Sequence, residues 1–257
     1  MPAIKRAVLL AAGRGQRLAP HTDLIPKPLL PVAGRPLLEY ALRSLQATGV
    51  RDVLLVVGYR GSQIKDYWGD GDSLDLRLHY VDQQGIPGTG AAALLAEKFT
   101  NGEPFFLGWG DIIVARSEYR RLFDTFTKER PDGLMLIEGV EDVHSGAAID
   151  LVDGRIRSIV EKPADSTAVW NQAGVAIYTH SIFPCLHQLQ PSVRGELEFT
   201  AAVQMLIDSG LCVRGVPMQS PRLHLTHPSD ITTVEQTLRE DSRYGLSIAN
   251  SDGMIKF

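Results

Sequence analysis

What the chain has little of already narrows it. There are only two cysteines, Cys185 and Cys212. They are too few for a disulfide framework, and neither sits in a metal-like spacing. Both read as small side chains at least partly buried. No apolar run reaches the ~20 residues of a membrane-spanning helix, so no membrane partner is expected. An excess of basic charge is also missing. Lys and Arg number 26 against 30 Asp and Glu, for a net charge of −4, which argues against a nucleic-acid partner. A local basic pocket remains compatible with that total. No internal repeat and no Pro- or Ser-rich linker divides the chain. Gly-x4-Gly-Lys-Ser/Thr does not occur, so a P-loop kinase is a poor reading. The first apolar residues run straight into a glycine-rich loop rather than into a signal-peptide cleavage site, which places the protein in the cytoplasm as an expectation. What is present is ordinary for a globular protein: 257 residues, 44% hydrophobic and 22% charged, enough for one large α/β domain or two small ones.

Strand and helix signals alternate through the first half. Ala7-Val8-Leu9-Leu10 and Asp52–Val57 read as buried strands, and 76–81 and 104–108 as further strands. Between them, a helix opens at Pro36 with Leu37, Leu38, Ala41, Leu42 and Leu45 on one face and Gly49 past its end. A short helix is expected around 63–67 and an alanine-rich one over 89–98. Such βαβ units predict a Rossmann-like mixed sheet, mainly parallel and flanked by helices. The second half is less regular. Strands are expected at 134–138, 147–150, 156–161 and 173–178, the middle two joined by the turn Val152-Asp153-Gly154-Arg155. Helices are expected at 180–188, 197–209 and 228–239. The tail from Asp241 is polar and ambiguous.

Residues 11–31 carry the most chemistry: Ala-Ala-Gly-Arg-Gly-Gln-Arg-Leu-Ala-Pro-His-Thr-Asp-Leu-Ile-Pro-Lys-Pro-Leu-Leu-Pro. Small residues after a buried strand let backbone approach a phosphate closely. Arg17 and Lys27 add fixed positive charge, so the stretch points to a polyphosphate nucleotide. Gly13, Gly15, Arg17, Leu18, Pro20 and Thr22, followed by Pro26-Lys27-Pro28-Leu29-Leu30-Pro31-Val32, resemble the signature of the sugar-nucleotide pyrophosphorylases (nucleotidylyltransferases). Within that family the likeness is to glucose-1-phosphate thymidylyl- and uridylyltransferases. Gln16 departs from the family's Thr or Ser. The resemblance implies the nucleotide-diphospho-sugar transferase fold over residues 1–257, with a nucleotide-binding part over about 1–115 and a sugar-phosphate-binding part over about 116–240.

Four later stretches match the same family in order. Val81-Asp82-Gln83-Gln84 with Gly88-Thr89-Gly90-Ala91 resembles its base-reading element. The Gln83 amide can both donate and accept, which suits a pyrimidine and so favours UTP or dTTP. The resemblance also places Ala11, Ala12, Gly13, Gly15, Gly88, Thr89 and Gly110 against the nucleotide. Gly108-Trp109-Gly110-Asp111 resembles the element whose Asp binds Mg²⁺, and a carboxylate at the C-terminal end of a central strand is well placed for a ligand site. Glu161-Lys162-Pro163 resembles the element in which Glu holds sugar hydroxyls and Lys the sugar phosphate. Gly146 and Gly174 fall where sugar packs on backbone, and Gln172 precedes Ala173-Gly174. Arg194-Gly195-Glu196-Leu197-Glu198 resembles a further sugar-side stretch, with Glu196 a candidate ligand. Plainer readings stand beside these: a polar loop at a helix start for Thr89, a cap for Asp111, a solvated pair for Glu161 and Lys162, and a helix-dipole acid for Glu196.

The likeness weakens at Arg222-Leu223-His224-Leu225-Thr226-His227-Pro228-Ser229-Asp230. Pro228 and Asp230 fit the family pattern, but His224 stands where its second metal-binding Asp belongs. Imidazole suits Mg²⁺ poorly. That leaves a site in which Asp111 and phosphate oxygens hold the metal alone, a preference for Mn²⁺, a direct phosphate contact by His224, or lost activity. The implied reaction is attack of a hexose 1-phosphate on the α-phosphorus of a nucleoside triphosphate. Arg17, Lys27, Asp111 and Lys162 would be its catalytic residues and Mg²⁺ its cofactor. No general base is needed, because the sugar phosphate is already ionised. The alternative is a non-catalytic relative that binds a nucleotide or sugar nucleotide and regulates a partner. Relatives often form dimers or tetramers, so a homo-oligomer is compatible. Ser145 and Gln172 are expected near the loops that choose the sugar.

Overall fold

The computed structural model describes residues 4–144 and 146–244. Ser145 and the end of the polar tail lie outside the described residues. The strands and helices that position the site run in chain order as β1 (Arg6–Ala11), α1 (Leu37–Ala47), β2 (Asp52–Val57), α2 (Gly61–Trp68), β3 (Arg77–Asp82), α3 (Thr89–Leu94) and β4 (Phe105–Trp109). There follow α4 (Arg116–Glu129), β5 (Gly133–Gly139), β6 (Ala147–Val152), β7 (Arg155–Glu161), β8 (Trp170–Tyr178), α5 (Ile182–Leu186), α6 (Phe199–Asp208), β9 (Val213–Pro217) and α7 (Asp230–Glu240).

Among the described residues these strands form one nine-stranded sheet in the order β3-β2-β1-β4-β8-β5-β9-β7-β6. Alternation along β1 explains why it lies at the centre. Ala7 and Leu9 pack into one apolar cluster and Val8 and Leu10 into another, so both faces of the sheet are covered. The pairings of β1 with β2 and β4, and of β2 with β3, are parallel, as the βαβ pattern predicts. In the other half only β5 and β9 run parallel. β8 is antiparallel to both β4 and β5, and β7 to both β6 and β9, so "mainly parallel" holds only for the first half. Chain order moves from β1 outward to β3 and then returns to β4 on the other side of β1. The crevice at the C-terminal ends of β1 and β4 is therefore the topological switch point where an open α/β sheet binds ligands.

Several elements differ from the sequence reading. The alanine-rich helix stops at Leu94, and a separate turn covers Glu97–Thr100. Helix α4 and strand β9 were not expected. The carboxylate that anchors them is buried: Glu118 of α4 is 1% exposed. Its Oε1 accepts bonds from the backbone N–H groups of Gln219 (2.7 Å) and Ser220 (3.1 Å) and from the Ser220 hydroxyl (3.1 Å). Arg121 closes on its other oxygen and donates to the Pro217 carbonyl at 2.7 Å. This knot fixes the chain leaving β9, which leads directly to Arg222 and His224. A third apolar cluster, including Leu18, Leu30, Leu37, Ile113, Leu225 and Val234, ties the glycine-rich loop to the C-terminal helix.

Candidate active site

The glycine-rich loop takes its shape from Gly15. Its φ is +66°, and an added Cβ would lie 3.1 Å from the Lys27 side chain and 3.3 Å from that of Thr22. Glycine meets both constraints at no steric cost. The Thr22 hydroxyl donates to the Gly15 carbonyl at 3.0 Å, and Leu18 is buried below. The Lys27 stem is thereby held along the loop, with its ammonium aimed at the end of β4. There it pairs directly with the carboxylate of Asp111. Asp111 follows Gly110, whose N–H donates to the Leu10 carbonyl at 2.9 Å. The sequence places Lys27 and Asp111 84 positions apart, and the switch point brings them into contact.

A cavity of about 590 Å³ opens beside this pair. Its walls hold Ala11, Ala12, Gly13, Gly15, Arg17 and Lys27 from the first loop and Asp111 from the end of β4. Gln83, Gly88, Thr89 and Glu196 complete the expected set, while Arg14, Tyr59 and Trp109 were not expected there. Arg14 stacks over the Tyr59 ring at 5.2 Å, and Tyr59 directly follows Gly58 at the end of β2. That strand end was the available signal for Tyr59. Gly110 backs the site but is not part of the cavity wall.

The loop expected to read the base is locked from behind. The Gln83 amide donates to the Gly88 carbonyl at 3.0 Å. Gly88 has φ +123°, and a Cβ there would come within 2.3 Å of the Leu197 carbonyl. Thr89 does not cap α3 through its side chain. Its hydroxyl instead accepts from the Phe199 N–H at 3.1 Å. Gly90 N–H donates to the Leu197 carbonyl at 2.7 Å. These bonds place Glu196 on the cavity wall, three residues before α6 begins, so it is not a first-turn acid of that helix.

Of the expected sugar-side residues Glu196 lines this cavity, and Gly146, Glu161, Lys162, Gln172 and Gly174 do not. Glu161 ends β7 and Lys162 follows it. Lys162 adopts φ +43°, a left-handed conformation uncommon for a non-glycine residue, and its N–H donates to the Gly146 carbonyl at 2.8 Å. Burial pushes the Glu161 carboxyl above its usual range, against the charges of Lys162 and Arg194. Arg194 lies 3.7 Å from Glu161 and 2.7 Å from Glu198, so it holds Glu161 in place, a role the sequence reading did not assign. Gly146 lies against Asn171, whose buried Oδ1 has no partner. Gly174 meets the Ile112 side chain and the Trp109 ring. Gln172 precedes a register shift in β8 and gives its carbonyl to Arg222.

His224 is brought to the same centre. It pairs with Ile112, next to Asp111, in a two-stranded antiparallel ladder. Burial holds its pKa below the usual histidine value, with Arg222 and Lys27 adding to the effect and Asp111 and Asp230 opposing it. The residue is nonetheless exposed to solvent, so only part of the ring is desolvated. Asp230 serves the backbone of the turn before α7, where its Oδ2 accepts the N–H groups of Thr226 and His227, each at 2.7 Å. Among the described residues no three or more His, Cys, Asp and Glu gather as a metal cluster.

Comparison with known proteins shows the family and the fold. Residues 6–220 match the nucleotidyl transferase family. The chain is 34% identical over 210 residues to a glucose-1-phosphate thymidylyltransferase of Streptomyces griseus, covering 81% of this chain but only 59% of that one. It is 31% identical over 240 residues to a UTP–glucose-1-phosphate uridylyltransferase, AglF, of Haloferax volcanii, covering 92% and 98% of the two chains. A solved UDP-glucose pyrophosphorylase complexed with UDP-glucose superposes with a TM-score of 0.83 at 24% identity, covering 92% of this chain and 98% of that one. The fold, the loop built around Gly15 and the match over residues 6–220 lead to one statement: this chain belongs to the nucleotidyl transferase family.

Proposed function

We propose that the protein joins a nucleoside triphosphate to a hexose 1-phosphate, giving a nucleoside diphosphate sugar and pyrophosphate. The observation that carries this is the direct pairing of Lys27 with Asp111 in the wall of the cavity. A transfer between two anions needs charge and alignment there. Arg17 on the cavity wall neutralises the β- and γ-phosphates and the departing pyrophosphate. Lys27 stands at the α-phosphate. Lys162 holds the acceptor phosphate for attack on the α-phosphorus, while Glu161, Gly146, Gly174, Gln172 and Glu196 surround the sugar. The P–O bond to pyrophosphate breaks as the new one forms, and no proton has to be removed from the acceptor.

The donor set fits Mg²⁺ carried in with the triphosphate. Mg²⁺ is commonly held by one or two carboxylates together with substrate phosphates, and Asp111 supplies one beside the cavity. Asp111 would hold the ion, which supplies further neutralisation of phosphate charge. His224, held below its usual pKa, is a secondary nitrogen donor at most. Gln83 at the cavity wall supports UTP or dTTP as donor. No described helix is long and apolar enough to cross a membrane, and the charged nucleotide substrates suit a cytoplasmic setting.

The test is calorimetric titration of each of the four ribonucleoside triphosphates and dTTP, with the purified protein and Mg²⁺. UTP or dTTP should bind most tightly, and Gln83→Ala should narrow the difference. Equal affinity for every base would remove Gln83 from base reading, and no binding at all would overturn the nucleotide site.

A further inference from the structure

Arg222 and Glu138 form an ion pair that the proposed chemistry does not use. Arg222 Nη2 lies 2.5 Å from Glu138 Oε1, and the two side chains are 20% and 18% exposed, so neither is sealed off. Arg222 Nη1 reaches the Gln172 carbonyl only at 3.4 Å, and its Nε is buried with no partner. Glu138 stands opposite Asn171 in the β5–β8 pairing. Arg222 directly precedes the short strand segment Leu223–His224, in which His224 pairs with Ile112. The Ile112 side chain is the one that meets Gly174. The pair thus lies beside Asn171 and Gln172, the residues that lead into Ala173-Gly174.

Stability gives a weak account of this arrangement. A half-buried ion pair contributes little compared with apolar side chains of the same size, and an unpaired buried N–H costs free energy. What the pair does offer is a fixed donor beside a fixed acceptor. A sugar hydroxyl, which both donates and accepts, is the group that satisfies both. A second phosphate is a worse fit, because Glu138 already balances the guanidinium. We propose that Arg222 and Glu138 are specificity-determining residues that together read one hydroxyl of the acceptor sugar. This rests on the sugar 1-phosphate reading above.

The experiment compares wild type with Arg222→Met, Arg222→Lys and Glu138→Gln. For each, kcat and KM are measured for glucose 1-phosphate and its single-deoxy analogues at saturating nucleotide. Wild type should disfavour one deoxy analogue by at least about 10-fold in kcat/KM, the scale of a hydrogen bond to a charged group. In Arg222→Met, glucose 1-phosphate should fall toward that analogue and the ratio approach one, mainly through KM, with nucleotide affinity unchanged. Arg222→Lys and Glu138→Gln should keep part of the discrimination. An unchanged ratio, or an equal loss with every acceptor, overturns the proposal. A second readout is independent of turnover: the affinity difference between a nucleoside diphosphate sugar and the bare nucleoside diphosphate. If it shrinks in Arg222→Met the pair reads the sugar, and if it is unchanged the pair does not. A wild type that binds the sugar nucleotide but turns over no acceptor would instead overturn the transferase reading alone.

Discussion

Replacing Glu118 by alanine should destabilise the whole protein and loosen the acceptor side of the site. The carboxylate is 1% exposed and serves two backbone N–H groups, the Ser220 hydroxyl and the Arg121 guanidinium. Alanine removes the acceptor of the two backbone N–H groups and the Ser220 hydroxyl, while Arg121 keeps its bond to the Pro217 carbonyl. Unsatisfied buried donors cost about 1–3 kcal/mol each, and breaking a buried charged pair about 3–5 kcal/mol. Water entry and shifts of the loop relieve part of the sum, so a loss of about 4 kcal/mol is expected. For a chain of this size that lowers the melting temperature by roughly 8–16 °C. Glu118→Gln keeps one acceptor oxygen and should lose about half as much. Urea unfolding and a thermal melt measure both variants. Because the same knot fixes the chain leading to Arg222 and His224, kcat/KM for the acceptor should fall in Glu118→Ala even well below the melt, while nucleotide affinity holds. A melting temperature within about 2 °C of wild type would refute the reasoning.

Three further outcomes follow from the site. Arg17→Ala should lower turnover at least about 100-fold, the scale of losing one preorganised charge, and full activity would remove Arg17 from the mechanism. Lys162→Ala should raise KM for the sugar phosphate more than it weakens nucleotide binding, and an unchanged KM would remove Lys162 from acceptor binding. His224 should titrate by NMR below the ~6.5 of an unperturbed histidine. The folded state then resists a proton that the unfolded chain accepts. The contribution of His224 to stability is therefore intact above ~6.5 and is lost as pH falls through the lower folded value. His224→Asn should flatten that part of the pH–stability curve, and a titration midpoint at or above ~6.5 would contradict the shift.

Local pattern made the first half of the fold legible. After their first residues, Arg6 and Asp52, the runs at β1 and β2 are uniformly apolar because both sheet faces are covered there, and the glycine-rich loop announces itself by residue type. Strand β9 and helix α4 were missed for physical reasons. β9 is Val-Arg-Gly-Val-Pro, with too few apolar residues to show a period. The apolar face of α4 is broken by the buried Glu118, whose partners lie about a hundred residues away. The residues of the cavity wall were readable because they follow strand ends in order. The pairing of Lys27 with Asp111, the brace of Arg194 on Glu161 and the ion pair of Arg222 with Glu138 depend on tertiary approach, which no local pattern encodes. His224 was visible as a departure from the family signature. Its place beside Asp111 emerged only from the Leu223–His224 pairing with Ile112–Ile113.

The most direct measurement is ³¹P NMR of the purified protein with Mg²⁺, UTP or dTTP, and glucose 1-phosphate, each substrate also being supplied alone. The account predicts a nucleoside diphosphate sugar and pyrophosphate in equal amounts, formed only when both substrates are present and lost in Lys27→Ala. No product with any of a panel of hexose 1-phosphates, repeated with Mn²⁺ while nucleotide still binds, would contradict it.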